Sequence, residues 1–267
     1  MNTLKFFFCS LVFFSFGLNA QYLLPPGMNL NTPSFSGGGG TPPSPEAVSL
    51  LRTFQSSKQA FGYSVADAGD LNGDGYNDIL IGAYGTSPEP GYAYIYFGGP
   101  SIKLIPDLIL TGEFETDGFG ISVSSAGDMN GDGYDDIVVG AYDYGLKQGA
   151  VYVYLGGAVM DNIADKKFEG QSDYSYFGLT VASAGDFNGD GYDDIVIGSY
   201  FGDYGISQAG NAMIILGAAT LHSTFDAILY GEAYDDRFGY SVAGAGDVNG
   251  DGRSEERRVG KECRSRW

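Results

Sequence analysis

Cysteine is nearly absent: the 267 residues hold two, Cys9 and Cys263, both close to the ends. The body between them has no disulfide to tie its loops and no thiol for nucleophilic or redox chemistry. Histidine is as scarce. His222 stands alone, which excludes a multi-histidine metal centre and leaves a hydrolytic triad only one candidate base. Positive charge is short too, with 14 Lys and Arg against 33 Asp and Glu and a net charge of -19. Six of those 14 crowd into the last fifteen positions. A body this acidic is repelled by nucleic acid and by anionic membrane surfaces. No segment keeps a heptad or 3.6-residue apolar period, which argues against helical bundles. Walker loops, dinucleotide fingerprints and Gly-x-Ser-x-Gly elbows are missing as well.

What the chain has is glycine, 43 residues of it, with 15% aromatics and 43% apolar residues overall. That mixture suits many short strands joined by tight turns. The first twenty residues, MNTLKFFFCSLVFFSFGLNA, read as a secretory signal peptide. Lys5 gives the positive end, Phe6 to Phe16 give an apolar stretch too short to span a bilayer, and cleavage is expected after Ala20. Residues 21–47 are rich in Pro, Gly and Ser and read as a linker. No membrane insertion is expected after signal cleavage.

From residue 48 the chain repeats. AGDLNGDGYNDILIGAY starts at Ala68, AGDMNGDGYDDIVVGAY at Ala126 and AGDFNGDGYDDIVIGSY at Ala184. A fourth copy, AGDVNGDG, starts at Ala245 and breaks off. The leading acids Asp70, Asp128, Asp186 and Asp247 are spaced by 58, 58 and 61 residues. A Phe-Gly pair precedes each copy, at Phe61, Phe119, Phe177 and Phe238. Aromatic or apolar runs follow the first three, from Tyr92, Ala150 and Asn211. Short segments close the units: LLRTF at 50–54, LILTG at 108–112, KKFEG at 166–170 and AILYG at 227–231. Each unit therefore predicts four strands: one after Phe-Gly, one after the acid loop, the aromatic run and the closing segment. The second strand is apolar throughout, as an element buried on both faces would be. In the third, Tyr92, Tyr94 and Tyr96 fall on one face and Ala93, Ile95 and Phe97 on the other. Four-stranded units of this length are the pattern of propeller blades, so the expected fold is an all-β propeller of antiparallel blades.

The acid loop predicts a cation. In the first copy, Asp70, Asn72, Asp74 and Asp78 offer side-chain oxygens at positions 1, 3, 5 and 9, and Tyr76 offers its carbonyl at position 7. The second copy repeats this with Asp128, Asn130, Asp132, Tyr134 and Asp136, and the third with Asp186, Asn188, Asp190, Tyr192 and Asp194. The broken copy keeps Asp247, Asn249 and Asp251. Clustered carboxylates repel unless a cation lies among them. An all-oxygen set without His or Cys excludes a zinc or copper preference, and its mixed carboxylate and carbonyl donors suit Ca2+ better than Mg2+. An EF-hand would need a bidentate Glu at position 12 between two helices. Ile81, Val139 and Ile197 hold that position inside strand-like runs, so the ion is placed in a hairpin loop between strands one and two. Weak, permanent calcium binding, with Kd of about 10⁻⁴ to 10⁻³ M in extracellular modules, fits a structural role.

The Phe-Gly … Gly-Ala-Tyr frame around Asp-x-Asn-Gly-Asp-Gly resembles the FG-GAP repeat of integrin α-subunit β-propellers, across residues 48–252. The resemblance implies calcium in these loops and a seven-bladed ring. Three full units and the start of a fourth then read as part of such a ring. It also implies a partner, an extracellular protein or glycan ligand, docking on the face opposite the calcium loops. The connections 84–91, 142–149 and 200–210, which differ between copies, would line that face. Residues 253–267 are basic and strand-poor where an apolar strand is due, and read as a non-native tail.

Other acids read as structural. In the pairs Asp135-Asp136 and Asp193-Asp194 the first member is expected to face solvent, and Asp235-Asp236 lies in a turn. His222 is expected at the surface. The aromatic stripes read first as packing between sheets, with carbohydrate stacking as the alternative. The expected function is that of a secreted calcium-binding repeat protein in extracellular recognition or cell adhesion, not an enzyme. The alternatives are an accessory propeller of a secreted hydrolase, such as a phospholipase, and a carbohydrate-binding lectin.

Overall fold

A computed structural model describes residues 60–101, 103–202 and 208–247. The expected signal segment 1–20, the expected linker 21–47, the closing segment 50–54, Asn249, Asp251 and the expected non-native tail 253–267 lie outside the described residues.

Three antiparallel four-stranded blades follow one another. The first runs β1 (Phe61–Gly69), β2 (Asp78–Tyr84), β3 (Gly91–Tyr96) and β4 (Leu108–Thr111). The second runs β5 (Phe119–Gly127), β6 (Asp136–Ala141), β7 (Ala150–Tyr154) and β8 (Lys166–Glu169). The third runs β9 (Thr180–Gly185), β10 (Asp194–Ser199), β11 (Asn211–Ile215) and β12 (Ala227–Tyr230). Within each blade, neighbours in sequence pair antiparallel, so every blade is a meander. A single parallel pair, Gly91 with Phe119, joins the first blade to the second. The same contact recurs as Gly149 with Phe177 and Gly210 with Phe238. One such pair per junction is a seam between blades and not a continuous sheet. The first strands of successive blades pack side by side, β1 on β5 and β5 on β9, as they do when blades fan out from an axis. In the fourth unit, Phe238 reaches the seam, and residues 241–247 form no strand.

Period-two alternation explains how the blades stack. In β6, Ile137, Val139 and Ala141 join a core shared with Leu80, Ala93 and Ile95 of the first blade. Val138, between them, joins the core shared with Ile195, Ile197 and Met213 of the third. β7 divides in the same way: Ala150, Tyr152 and Tyr154 face backward, Val151 and Val153 forward. All six residues of β6 are buried, which is why the strand is apolar at every position after Asp136. The expected faces of β3 hold too, with Ala93 and Ile95 in the forward core and Tyr92, Tyr94 and Tyr96 in a backward cluster.

The Phe-Gly pairs act at the seams. Phe119 is fully buried and meets Tyr152 edge-on at 5.4 Å, and Phe61 meets Tyr94 likewise at 5.2 Å. The adjoining glycine adopts a left-handed φ, 83° at Gly120 and 81° at Gly178, and at Gly120 it carries β5 through a bulge. The carbonyl of that glycine is pressed against the second strand of the preceding blade. Gly82 faces the carbonyl of Gly120, Gly140 that of Gly178 and Gly198 that of Gly239, and a Cβ at any of the three would overlap it. A hydroxyl on the first strand completes each contact: Ser64 Oγ donates to Gly120 O at 2.9 Å, Ser122 Oγ to Gly178 O at 2.9 Å and Thr180 Oγ1 to Gly239 O at 3.2 Å. We expect Ser122→Ala to lower stability by about 1 kcal/mol, the worth of one half-buried hydrogen bond. Urea unfolding would measure this, and an unchanged midpoint would remove the hydroxyl from the seam.

Candidate metal loops and the opposite face

The acid loops lie where β1 turns into β2, β5 into β6 and β9 into β10, at one end of every blade. Their internal geometry is the same in all three. Asp70 Oδ1 accepts the N–H groups of Gly73 and Asp74 at 2.8 and 3.0 Å, and Oδ2 accepts that of Gly75 at 2.8 Å. Asp128 takes Gly131, Asp132 and Gly133 in the same way, and Asp186 takes Gly189, Asp190 and Gly191. Asn72, Asn130 and Asn188 each accept the N–H two residues on, at 2.9, 2.9 and 2.8 Å. Asp74, Asp132 and Asp190 accept the N–H of Tyr76, Tyr134 and Tyr192, each at 3.0 Å. Successive N–H groups thus turn inward, and the loop closes on its own carboxylates.

The ninth-position acids open the second strands and are buried: Asp78 is 1% exposed, Asp136 and Asp194 0%. Each ties the loop to the far end of strand three. Asp78 accepts Leu71 N–H at 2.9 Å and Gly98 N–H at 2.7 Å; Asp136 accepts Met129 and Gly156; Asp194 accepts Phe187 and Gly217. Burial pushes Asp136 up to about 7 and Asp194 up to about 6. Asp78 shifts the same way for the same reason, and the neighbouring acids of each loop add to it.

Asp135 and Asp193, expected to face solvent, do not. Each is partly buried and accepts a backbone N–H from the loop of the blade before, Asp135 from Asp70 at 2.7 Å and Asp193 from Asp128 at 2.9 Å. The reason is the close stacking of loops, which the linear sequence does not display.

The donors fit a hard divalent cation in kind: carboxylate, amide and carbonyl oxygens, with no nitrogen or sulfur among them. Among the described residues no Lys, Arg or His pairs with an acid of the first three loops; the ion pairs seen include Asp107, Asp143, Glu113, Glu169, Asp226 and Asp235. The carboxylates turn onto N–H groups, and among the described residues no three acidic side chains converge on one point. Oδ1 of Asp70, Asp128 and Asp186 accepts two N–H groups, whereas Oδ2 accepts one and keeps a second lone pair. Asp247, in the fourth unit, is exposed at the end of the described stretch.

The remaining acids have local work. Asp236 caps a turn by accepting the N–H groups of Glu232 and Ala233, and Asp235 pairs with Arg237 at 2.8 Å. His222 is partly exposed, as expected, with Nε2 3.2 Å from Asp226. A repeated signal went unread in the sequence: Asp107, Asp165 and Asp226 each accept the N–H of Phe97, Leu155 or Leu216, fixing the entry to strand four.

At the other end of the blades lies an aromatic ribbon. Tyr63 and Tyr84 meet edge-on at 4.6 Å. Tyr142 stacks on Tyr176 at 6.0 Å with planes 19° apart. Tyr176 contacts Tyr200 at 5.2 Å and Phe201 at 5.8 Å, and Tyr200 meets Tyr240 at 5.5 Å. Burial raises the Tyr142 hydroxyl, and the nearby Asp143, Tyr84, Tyr176 and Tyr63 raise it further. Tyr176 holds φ at 54° where the second unit has Gly118, an uncommon conformation for a bulky side chain.

Comparison with known proteins follows the same boundaries. The FG-GAP repeat model matches residues 61–96, 119–154 and 177–214. The chain is 38% identical over 169 residues to integrin alpha-5 of Xenopus laevis, covering 58% of this chain and 16% of that protein. It is 38% identical over 156 residues to human integrin alpha-7, covering 55% of this chain and 12% of the relative. With integrin alpha-4 of Xenopus laevis it shares 29% over 166 residues, covering 59% and 16%. The matched stretch is thus under a fifth of each relative's length. The chain thus carries three FG-GAP repeats, each starting at a seam phenylalanine and ending in the third strand of a blade, and its propeller blades are integrin-α-like.

Proposed function

We propose that this chain is an extracellular recognition or adhesion module whose blades are stabilised by divalent cations, calcium foremost. One observation carries the reading: the two ends of the blades are built to opposite rules. At one end three loops repeat the same hydrogen bonds, with acids that meet no cationic side chain among the described residues. At the other, the connections YGTSPEPG, YDYGLKQG and YFGDYGISQAG differ in length and composition and contribute Tyr84, Tyr142 and Tyr200 to the aromatic ribbon, which Tyr176 joins from the entry to the third blade. A constant end suits a scaffold and a varied aromatic end suits a partner. The similarity to integrin α-subunits supports the same division.

Calcium would be held by Asp70, Asn72, Asp74, the Tyr76 carbonyl and Asp78, and by the matching residues of the other loops. It would supply the positive charge that the loops lack. The signal segment 1–20 supports export, and the described residues contain no helix long and apolar enough to cross a membrane. The partner is an extracellular protein that buries tyrosine.

Binding to a panel of immobilised extracellular matrix proteins, in millimolar calcium, tests this. The double variant Tyr176→Ala/Tyr200→Ala should lose more than about tenfold in affinity, since buried aromatic anchors are worth about 2 kcal/mol or more. Undiminished binding by that variant would move recognition off the ribbon.

A further inference from the structure

The acid loops are not independent hairpins, because each is gripped by the blade that follows. The backbone of Asp128 is held on both sides of its Cα by Asp193, whose carboxylate accepts the Asp128 N–H at 2.9 Å and whose own N–H donates to the Asp128 carbonyl at 3.1 Å. Asp135 holds Asp70 in the same two-point way, at 2.7 and 3.1 Å. The carbonyl of the next loop residue is taken as well, Leu71 O by Gly157 N–H and Met129 O by Ala218 N–H, both at 2.8 Å. The space is filled to match. A Cβ on Gly69 or Gly127 would overlap the carboxylate of Asp135 or Asp193, and one on Gly73 or Gly131 would lie 2.6 Å from the ring of Tyr134 or Tyr192. The grip follows the seam and not the repeat. Asn77 occupies the same position in the first blade, and there its amide donates to Asp67 of its own blade instead.

We propose that Asp135 and Asp193 are positioning residues that act across the seam: each fixes the first acid of the preceding blade's loop, so that loop's affinity for a divalent cation is set by the blade after it. The grip falls on the residue that supplies position 1, and its two hydrogen bonds hold the Asp128 backbone, and so the Asp128 carboxylate, against rotation. The inference rests on the cation reading above, and it predicts an effect in trans. Loss of Asp193 should weaken the loop around Asp128, while the loop next to Asp193 in sequence keeps its affinity.

Terbium, a calcium surrogate sensitised by tyrosine, reads this out. In a full-length Asp74→Ala/Asp190→Ala background only the middle loop keeps its five-donor set. There Asp193→Ala should weaken terbium binding by about tenfold or more, the usual cost of losing an outer-shell partner. Asp193→Asn, which keeps an oxygen to accept the Asp128 N–H, should return the affinity to within about threefold. In an Asp74→Ala/Asp132→Ala background, where the third loop remains, Asp193→Ala should change the affinity by less than about twofold. Amide exchange gives a cation-free measure: Asp193→Ala should speed exchange at Asp128 and leave Asp186 unchanged. Equal loss in both loops, or an Asp193→Asn variant as weak as Asp193→Ala, would overturn positioning in favour of general destabilisation or simple charge. Terbium uptake indifferent to Asp193→Ala would sink the positioning role alone. Absence of uptake by the unmodified protein would sink the cation reading and this role together, whatever the exchange at Asp128.

Discussion

Thermal unfolding at pH 7 should shift upward by about 10 °C or more when chelator is replaced by about 10 mM calcium. The estimate assumes three loops with Kd of about 10⁻⁴ to 10⁻³ M, each worth roughly 1.4 to 2.7 kcal/mol at that concentration. A domain of this size gains about 2–4 °C per kcal/mol. The shift should also depend on pH, in a direction that the buried acids dictate. Desolvation raises Asp136 to about 7 and Asp194 to about 6, and moves Asp78 the same way, from an ordinary value of 3.8. Such groups favour the fold when protonated. Their contribution is fully present below about pH 4 and is lost as the pH climbs through about 6 and 7, when the fold must carry buried negative charge. The cation-free protein should therefore lose stability from about pH 4 to pH 7. Bound calcium favours the ionised acids and should cancel that slope, so the gap between the two conditions widens as pH rises. Superimposed melting curves in calcium and chelator at pH 7 would refute cation stabilisation outright.

Gly140→Val should be the most damaging single change at a seam. The strand-two glycine faces the Gly178 carbonyl and Ser122 Oγ, and a Cβ there would overlap both. The penalty is one of space, since Gly140 is not among the glycines of positive φ. The hydroxyl can rotate away, but the Gly178 carbonyl is backbone, so relief requires the second and third blades to separate. That separation would open the core that Val138, Val151 and Val153 share with Phe177 and Ile197. Overpacking costs about 1–3 kcal/mol in general, and backbone-on-backbone overlap puts Gly140→Val at or above the top of that range. Gly157→Ala is the control, because nothing lies within 4 Å of the added carbon. It should change stability by less than about 0.5 kcal/mol. Chemical denaturation of the two variants side by side checks the pair, and a Gly140→Val midpoint equal to that of Gly157→Ala would refute the close approach.

The strands and the acid loops were legible in the chain itself. β2 spans Asp78–Tyr84, the run DILIGAY that an unbroken apolar stretch marks, and β8 and β12 fall within the closing segments KKFEG and AILYG. The alternation of Ala93 and Ile95 against Tyr94 and Tyr96 showed which residues share a face. These features are local. Strand period, turn glycines and loop acids act over a few residues, so the pattern and its cause lie in the same window.

The seams were decided by the tertiary structure. Asp135 and Asp193 look from the sequence like the outer halves of acid pairs, yet each binds a peptide group 65 residues earlier. Gly82, Gly140 and Gly198 read as ordinary members of apolar strands until the next blade's carbonyl is set against them. Tyr142 and Tyr200 hold the same repeat position, 58 residues apart, but Tyr176 does not, and only the stacking of the second and third blades draws the three into one ribbon. In each case the chemistry depends on what a neighbouring blade brings within a few ångströms. Short-range patterns in a chain determine which face a side chain takes, and the packing of one blade on the next determines what that face meets.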